Sequence, residues 1–251
     1  MQGYVNMQQM DFVGPRYIKN LGRIYWLNII DLDTRLAAVY PVIGKSSDLI
    51  LPCLVDFWQK YGIPDFLQMD NELSFRGNNR YKHCYGKVVR LCLINRIKPI
   101  FIPVQEPWRN GVIEKFNDTF DKKFFRTTVF TDYQSLVDKA KKFENFHNTY
   151  YRYKANHGKT LLEMVKIPGN SKILLRGDYI LPKTFDVDDG EIMIIRFVRS
   201  DRKLHLFSET FILPAEAIYT YVQAVICYRT HTLMVYLDEK LIACFDYLLI
   251  P

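Results

Sequence analysis

Long apolar runs are missing from this chain of 251 residues. No stretch of about 18 uncharged apolar residues occurs, so no membrane-spanning helix is expected. The first residues lack a basic start followed by an apolar segment, and a secretory signal is not expected either. Cysteine is sparse and unpatterned: Cys53, Cys84, Cys92, Cys227 and Cys244 are odd in number and never form a C-x-x-C pair. That usage fits reduced, buried thiols in a cytosolic protein and speaks against disulfides or a zinc site. None of the five histidines has a partner at metal-ligand spacing. There is no internal repeat and no low-complexity tract. What is present is an apolar content of 49%, enough to bury one large core or a large and a small one.

Charge of one sign is also missing locally. Residues 73–105 hold Arg76, Arg80, Lys82, Lys87, Arg90, Arg96 and Lys98 and not one acidic residue. The net charge of +7 is uneven: residues 1–169 carry 25 Lys and Arg against 16 Asp and Glu, whereas residues 170–251 carry 9 against 11. A one-signed stretch of this length reads as a footprint for a phosphate backbone, although a solvated helix face has the same composition.

The patterning implies two regions. Gln8–Phe12 is a short apolar run ended by Gly14-Pro15. The runs 23–31 (RIYWLNIID) and 35–42 (RLAAVYPV) read as a hairpin. Ser47–Tyr61 has helical spacing, with a serine cap and a stop at Gly62. Phe66–Met69 and Lys98–Ile102 read as buried strands; Tyr85–Asn95, Asn110–Phe125 and Asp132–Tyr150 read as helices. This order implies a mixed sheet with helices packed on it. Thr160 and Glu163 fit a capping box near a turn-rich break at residues 168–171. Beyond it, short strands at 191–198, 203–207, 221–228, 232–237 and 240–247 suggest a small barrel or sandwich. The expected domains are therefore 1–165 and 172–251.

Three carboxylates stand out by context. Asp11 lies in an extended stretch (QMDFVGPRY), Asp70 ends another (DFLQMDNELSF), and Glu114 lies just inside a helix start (EPWRNGVIEKFND). Separated acids of this sort, two near strands and one on a helix, suit a pair of hard divalent ions held over a phosphodiester. Each has a duller reading: a turn residue, a strand-end cap, or a carboxylate favoured by the helix dipole. Asp31 and Asp33 compete with Asp11, but fall in a D-L-D-T-R turn where aspartate bonds its own backbone.

The stretches QMDFVGPRY, YWLNIIDLDTRLAAVYPV, LVDFWQKYGIPDFLQMDNELSF and IKPIFIPVQEPWRNGVIEKFND resemble the catalytic core of the retroviral-integrase superfamily, in its branch of bacterial insertion-sequence (DDE) transposases. Together they cover most of residues 8–125. The resemblance implies a ribonuclease-H-like α/β fold, and metal-dependent cleavage of DNA 3′ ends followed by strand transfer. It carries over to Asp11, Asp70 and Glu114 as catalytic ligands of two Mg2+ or Mn2+ ions, and to Asn71 beside Asp70. It further implies double-stranded DNA (element ends and target) as partner, a homo-oligomer on that DNA, no membrane, and the bacterial cytoplasm or nucleoid as location. Residues 172–251 resemble the small β-barrel that often follows this core.

Three features depart from the family pattern. Asp70 and Glu114 lie 44 positions apart, more than is usual, and the extra length falls around Phe75–Gly86 as a loop insertion. Asn117 and Asp121 occupy the face after Glu114 where a basic residue is common, with Lys115, Lys122 and Lys123 alongside. No zinc-binding or helix-turn-helix module precedes Asp11, so recognition of element ends is expected elsewhere or on a longer chain. The expected nucleic-acid contacts are Asn71, Arg76, Arg80, Lys82, Lys87, Arg109, Asn110, Lys115, Asn117 and Lys122. Trp108 is expected to pack on the loop or on a base, and residues 147–159 mix aromatics with cations that stack on bases or fill the core. A nuclease that only hydrolyses, and a catalytically silent DNA-binding descendant, are the rival functions.

Overall fold

The computed structural model describes residues 6–78, 83–103 and 106–250. In chain order its strands are β1 (Met7–Ile18), β2 (Gly22–Asp31), β3 (Ala37–Val42), β4 (Phe66–Met69), β5 (Lys98–Phe101), β6 (Glu191–Phe197), β7 (Lys203–Leu206), β8 (Glu209–Ile212), β9 (Tyr221–Cys227), β10 (Thr232–Leu237) and β11 (Lys240–Asp246). The helices are α1 (Ser47–Tyr61), α2 (Leu73–Arg76), α3 (Lys87–Ile94), α4 (Gly111–Lys123), α5 (Tyr133–Tyr150) and α6 (Leu161–Val165). Among the described residues no helix is long and apolar enough to cross a membrane. Two compact units divide the chain: residues up to Phe66 with Asn110–Leu181, and Leu67–Arg109 with residues from Pro182 onward. The boundary expected between 165 and 172 falls inside the first of these.

In the first unit β1, β2 and β3 form an antiparallel meander. β1 does not stop at Gly14-Pro15 as expected. A register shift between Val13 and Arg16 absorbs that pair as a bulge, with Gly14 at φ +119°, and the strand continues to Ile18. The β2–β3 turn is tied by Asp31: its Oδ1 accepts from the Thr34 amide and hydroxyl. Buried Lys172 pairs with both Asp31 and Asp33. These two aspartates therefore have a structural task.

Helices α4 and α5 cover one face of the meander. Ile113, Phe116 and Phe120 recur at i, i+3 and i+7 and meet Ile24, Trp26, Ile30 and Val39 from the strands, with Leu136, Ala140 and Phe143 from α5. The Phe120 ring lies 5.0 Å from Trp26, edge-on. Asp132 caps α5 by accepting from the Ser135 amide, and the Thr160–Glu163 capping box opens α6.

His147 is fully buried in α5. Asn148 Oδ1 can only accept, so His147 Nδ1 carries the proton and Nε2 accepts from the Tyr153 hydroxyl. Burial pushes this imidazole down to about 4. The unfolded chain takes up a proton near pH 6.5, where the folded one does not. Stability is therefore complete above about pH 6.5 and falls, by on the order of 3 kcal/mol, as pH drops to about 4. A melting-temperature series across this range should slope for the wild type and flatten in His147→Gln.

In the second unit the strands run β11-β10-β9-β6-β5-β4. β6 pairs with β5 in parallel, and β9, β10 and β11 follow antiparallel, so the sheet is mixed. β7 and β8 form a separate antiparallel hairpin; β8 was not expected from sequence. The segment expected to be an insertion, around Phe75–Gly86, is pinched at its base. Gly86 N donates to Arg76 O at 3.0 Å, and a Cβ on Gly77 (φ +99°) would stand 2.3 Å from Gly86 N. Both glycines are needed for this close approach.

Candidate functional site

Asp11 and Glu114 belong to the first unit and Asp70 to the second. Asp11 is mid-strand in β1, paired with Asn28 of β2. Its carboxylate is held at both oxygens: Oδ1 accepts from the Phe12 amide at 2.8 Å and Oδ2 from Asn117 Nδ2 at 2.9 Å. Asn117 Oδ1 in turn accepts from Asn28 Nδ2 at 2.8 Å. This relay ties β1, β2 and α4 to one carboxylate. Asn28 is fully buried; this bond satisfies its Nδ2, while its Oδ1 has no hydrogen-bond partner among the described residues.

The start of α4 is fastened to the same strand face. The N-terminal amides of a helix lack partners within it, and Gln9 Oε1, two residues before Asp11 on β1, accepts from Ile113 N at 3.0 Å. Glu114 is therefore presented one turn before Asn117, at i and i+3 on one helix face, a spacing of roughly 5–6 Å between Cβ atoms. Glu114 is half-buried and, among the described residues, its side chain makes no hydrogen bond or ion pair. Four residues past Asn117, Asp121 pairs with Arg16 at 2.8 Å and with Arg126 at 2.5 Å.

In the second unit Asp70 follows β4 and is half-buried; its Oδ1 accepts from the Glu72 amide at 2.9 Å. Asn71 braces the turn: Nδ2 donates to Ile102 O at 2.6 Å and Oδ1 accepts from an Arg196 nitrogen at 2.7 Å. Arg109 pairs with Glu106 at 2.7 Å and lies 4.0 Å over the Tyr221 ring. Its hydrogen bonds to these two groups raise an already high pKa despite some burial, so the guanidinium stays charged. Asn110 is buried at the start of α4, Lys115 and Lys87 are exposed, and Lys122 pairs with Asp118 at 2.7 Å. Arg76 donates from Nε to Asn71 O and stacks over Phe207. Arg80, Lys82 and the side chain of Trp108 lie outside the described residues.

Sequence reasoning named Asp11, Asn71, Glu114 and Asn117, and missed Gln9, Asn28 and Arg196. Their signal was there: a polar side chain inside each of the apolar runs MQQMDF, IYWLNII and EIMIIRF. The five cysteines are all free, and among the described residues no group of three His, Cys, Asp or Glu stands close enough to hold a metal ion. The chemistry of the acidic set still fits Mg2+. It supplies carboxylate oxygens alone, Asp11 is rigidly held, and an unpaired Glu114 shares its neighbourhood through Asn117.

No family model matches the chain, and no curated protein sequence does. Solved structures do. The HTLV-2 integrase catalytic core domain in complex with magnesium (dimeric form) superposes with a TM-score of 0.51 at 14% identity, over 65% of this chain and 99% of that one. The simian T-cell lymphotropic virus intasome in complex with PP2A regulatory subunit B56 gamma gives 0.55 at 14% identity, over 73% of this chain and 63% of that one. The fold is thus that of a retroviral integrase catalytic core: α/β, ribonuclease-H-like, a mixed sheet flanked by helices, with further β strands toward the C-terminus.

Proposed function

We propose that this chain is a polynucleotidyl transferase of the DDE kind, an insertion-sequence transposase or integrase that cuts DNA 3′ ends and joins them to a target. The single observation that carries the reading is the Asn28–Asn117–Asp11 relay with Glu114 one turn away on α4. A fully buried amide (Asn28) and a half-buried one (Asn117) spent on orienting one strand carboxylate beside a second, unpaired one suit a metal ligand better than packing. The order Asp11, Asp70, Glu114, the Asp70-Asn71 pair, the integrase-like fold and the basic stretch 73–105 support the same conclusion.

In this reading Asp11, Asp70 and Glu114 hold two Mg2+ or Mn2+ ions. When bound, such ions activate the attacking oxygen and stabilise the departing one in an in-line displacement. Asn117 keeps Asp11 in a single rotamer, and Asn71 braces the backbone that carries Asp70. The partner is double-stranded DNA, on which the protein acts as a homo-oligomer, with Lys87 and Lys115 at the exposed surface.

A labelled donor duplex with a free 3′ hydroxyl, incubated with target DNA and magnesium, tests the reaction. Joined products are expected; hydrolysis without joining would assign a nuclease instead. Asn117→Ala should lower the joining rate by about 10–100-fold, the usual effect of losing a partner that orients a ligand. DNA affinity measured without metal should change far less. An equal fall in both would return Asn117 to a plain DNA contact.

A further inference from the structure

The second unit carries an open pocket of about 270 Å³ lined by Asn71, Arg76, Arg196, Phe197, Lys203, His205 and Phe207. Two guanidiniums, an ammonium and an imidazole meet there, and among the described residues no carboxylate lines the wall. Arg196 is half-buried in the wall. It extends from β6 and is locked by donating to Ile102 O at 3.2 Å, Ile195 O at 2.9 Å and Asn71 Oδ1 at 2.7 Å. All three acceptors are neutral, so these bonds fix the guanidinium without cancelling its charge. Burial, and then the neighbouring Arg76, pull the Arg196 pKa down to about 10. Two like charges forced together in a half-buried wall are an arrangement that an anion relieves.

The remaining walls show which anion fits. Lys203 and His205 stand exposed on one side of β7, at i and i+2. Phe197 keeps 41% of its surface exposed and packs on Tyr221 with ring centroids 5.0 Å apart, presenting a supported aromatic surface. Phe207 lies under Arg76, 5.2 Å from the guanidinium carbon. At about 270 Å³ the pocket is just below the roughly 300–1,000 Å³ of drug-sized sites. It has room for a phosphate and a sugar, with a flat group left at the mouth.

We propose that this pocket binds a nucleotide, its phosphate held by Arg76, Arg196 and Lys203 and its base stacked on Phe197. The phosphate comes either from a single-stranded end of nucleic acid or from a free mononucleotide. The assignment stands apart from the carboxylates, because every residue in it belongs to the second unit and no metal is needed.

The test is fluorescence anisotropy with a fluorescein-labelled eight-residue oligothymidylate, in EDTA so that failure of the metal reading has no bearing on it. Competitors are thymidine monophosphate, thymidine and inorganic phosphate. Lys203→Gln and Phe197→Ala alter exposed side chains and should fold as the wild type does, which circular dichroism verifies; Arg196→Gln probes the interior. Phe197→Ala should weaken oligonucleotide binding about tenfold, as loss of one base stack does. Lys203→Gln should weaken it and lower the salt slope by about 0.7, the value of one phosphate contact to a single strand. Displacement by thymidine monophosphate but not by thymidine supports the pocket with a free nucleotide as the source. Weakening by the variants, with no displacement by the mononucleotide, supports it with a strand end as the source. Unchanged binding by both surface variants, or displacement by thymidine as readily as by its monophosphate, overturns the proposal.

Discussion

Asp70→Asn is expected to abolish magnesium- or manganese-dependent cleavage and joining, by at least about a thousandfold, while DNA binding is kept. The substitution is nearly isosteric. Its Oδ1 can still accept from the Glu72 amide, so the turn after β4 keeps its shape. What disappears is one negative charge from a proposed hard-cation ligand, and neutral amide oxygen is a poor replacement for carboxylate toward Mg2+. The loss should exceed the roughly 10–100-fold expected where only an orienting partner is removed. Asp11→Asn should match it, with the added consequence that its new amide nitrogen can face the Asn117 donor. Cleavage and joining by gel assay, with affinity measured in parallel, separate chemistry from binding. Cleavage by Asp70→Asn at the wild-type rate would remove Asp70 from the site.

Phe120→Ala should have the largest effect on stability, about 3–5 kcal/mol in urea or heat. Phe120 is fully buried, and its ring meets Trp26, Phe124 and Phe143 at centroid distances between 5.0 and 5.9 Å. Truncation leaves a ring-sized void where α4 presses on the meander. Part of the cost is the lost edge-to-face pairing, worth about 0.5–1.5 kcal/mol for an aromatic pair. The same helix carries Glu114 and Asn117, so the variant should also lose activity at temperatures where its fold is intact, though less than Asp70→Asn does. A cost below about 1 kcal/mol would mean that α4 is not held by this cluster.

Much of the fold was legible because its signals are local. Helix α5 announces itself by Asp132 and its apolar spacing, α6 by its capping box, and β2 and β3 by dense β-branched and aromatic runs around a turn rich in aspartate. The rest depends on contacts that spacing does not reveal. Gly14-Pro15 reads as a stop, yet a bulge carries β1 past it, since Tyr17 and Ile18 find Arg23 and Gly22 to pair with. The texture change near residue 170 marks a shift from helices to strands, whereas compactness follows pairing, and β6 pairs with β5 from far earlier in the chain.

The candidate site divides the same way. Asp11 and Glu114 stand out by their flanking sequence. The partner of Asp11 was not, because Asn117 lies 106 positions away and its exposed-looking place on α4 suggested DNA. Asn71 likewise faces Arg196, 125 positions off. Polar side chains embedded in apolar runs were the readable trace of both networks, since a buried amide or guanidinium must be given partners.

Anomalous diffraction from crystals grown with MnCl2 and a donor duplex tests the central claim most directly. The account predicts manganese peaks bound by carboxylate oxygens of Asp11, Asp70 and Glu114, with Asn117 still donating to Asp11. Manganese bound elsewhere, with those three side chains free of it, would contradict the account.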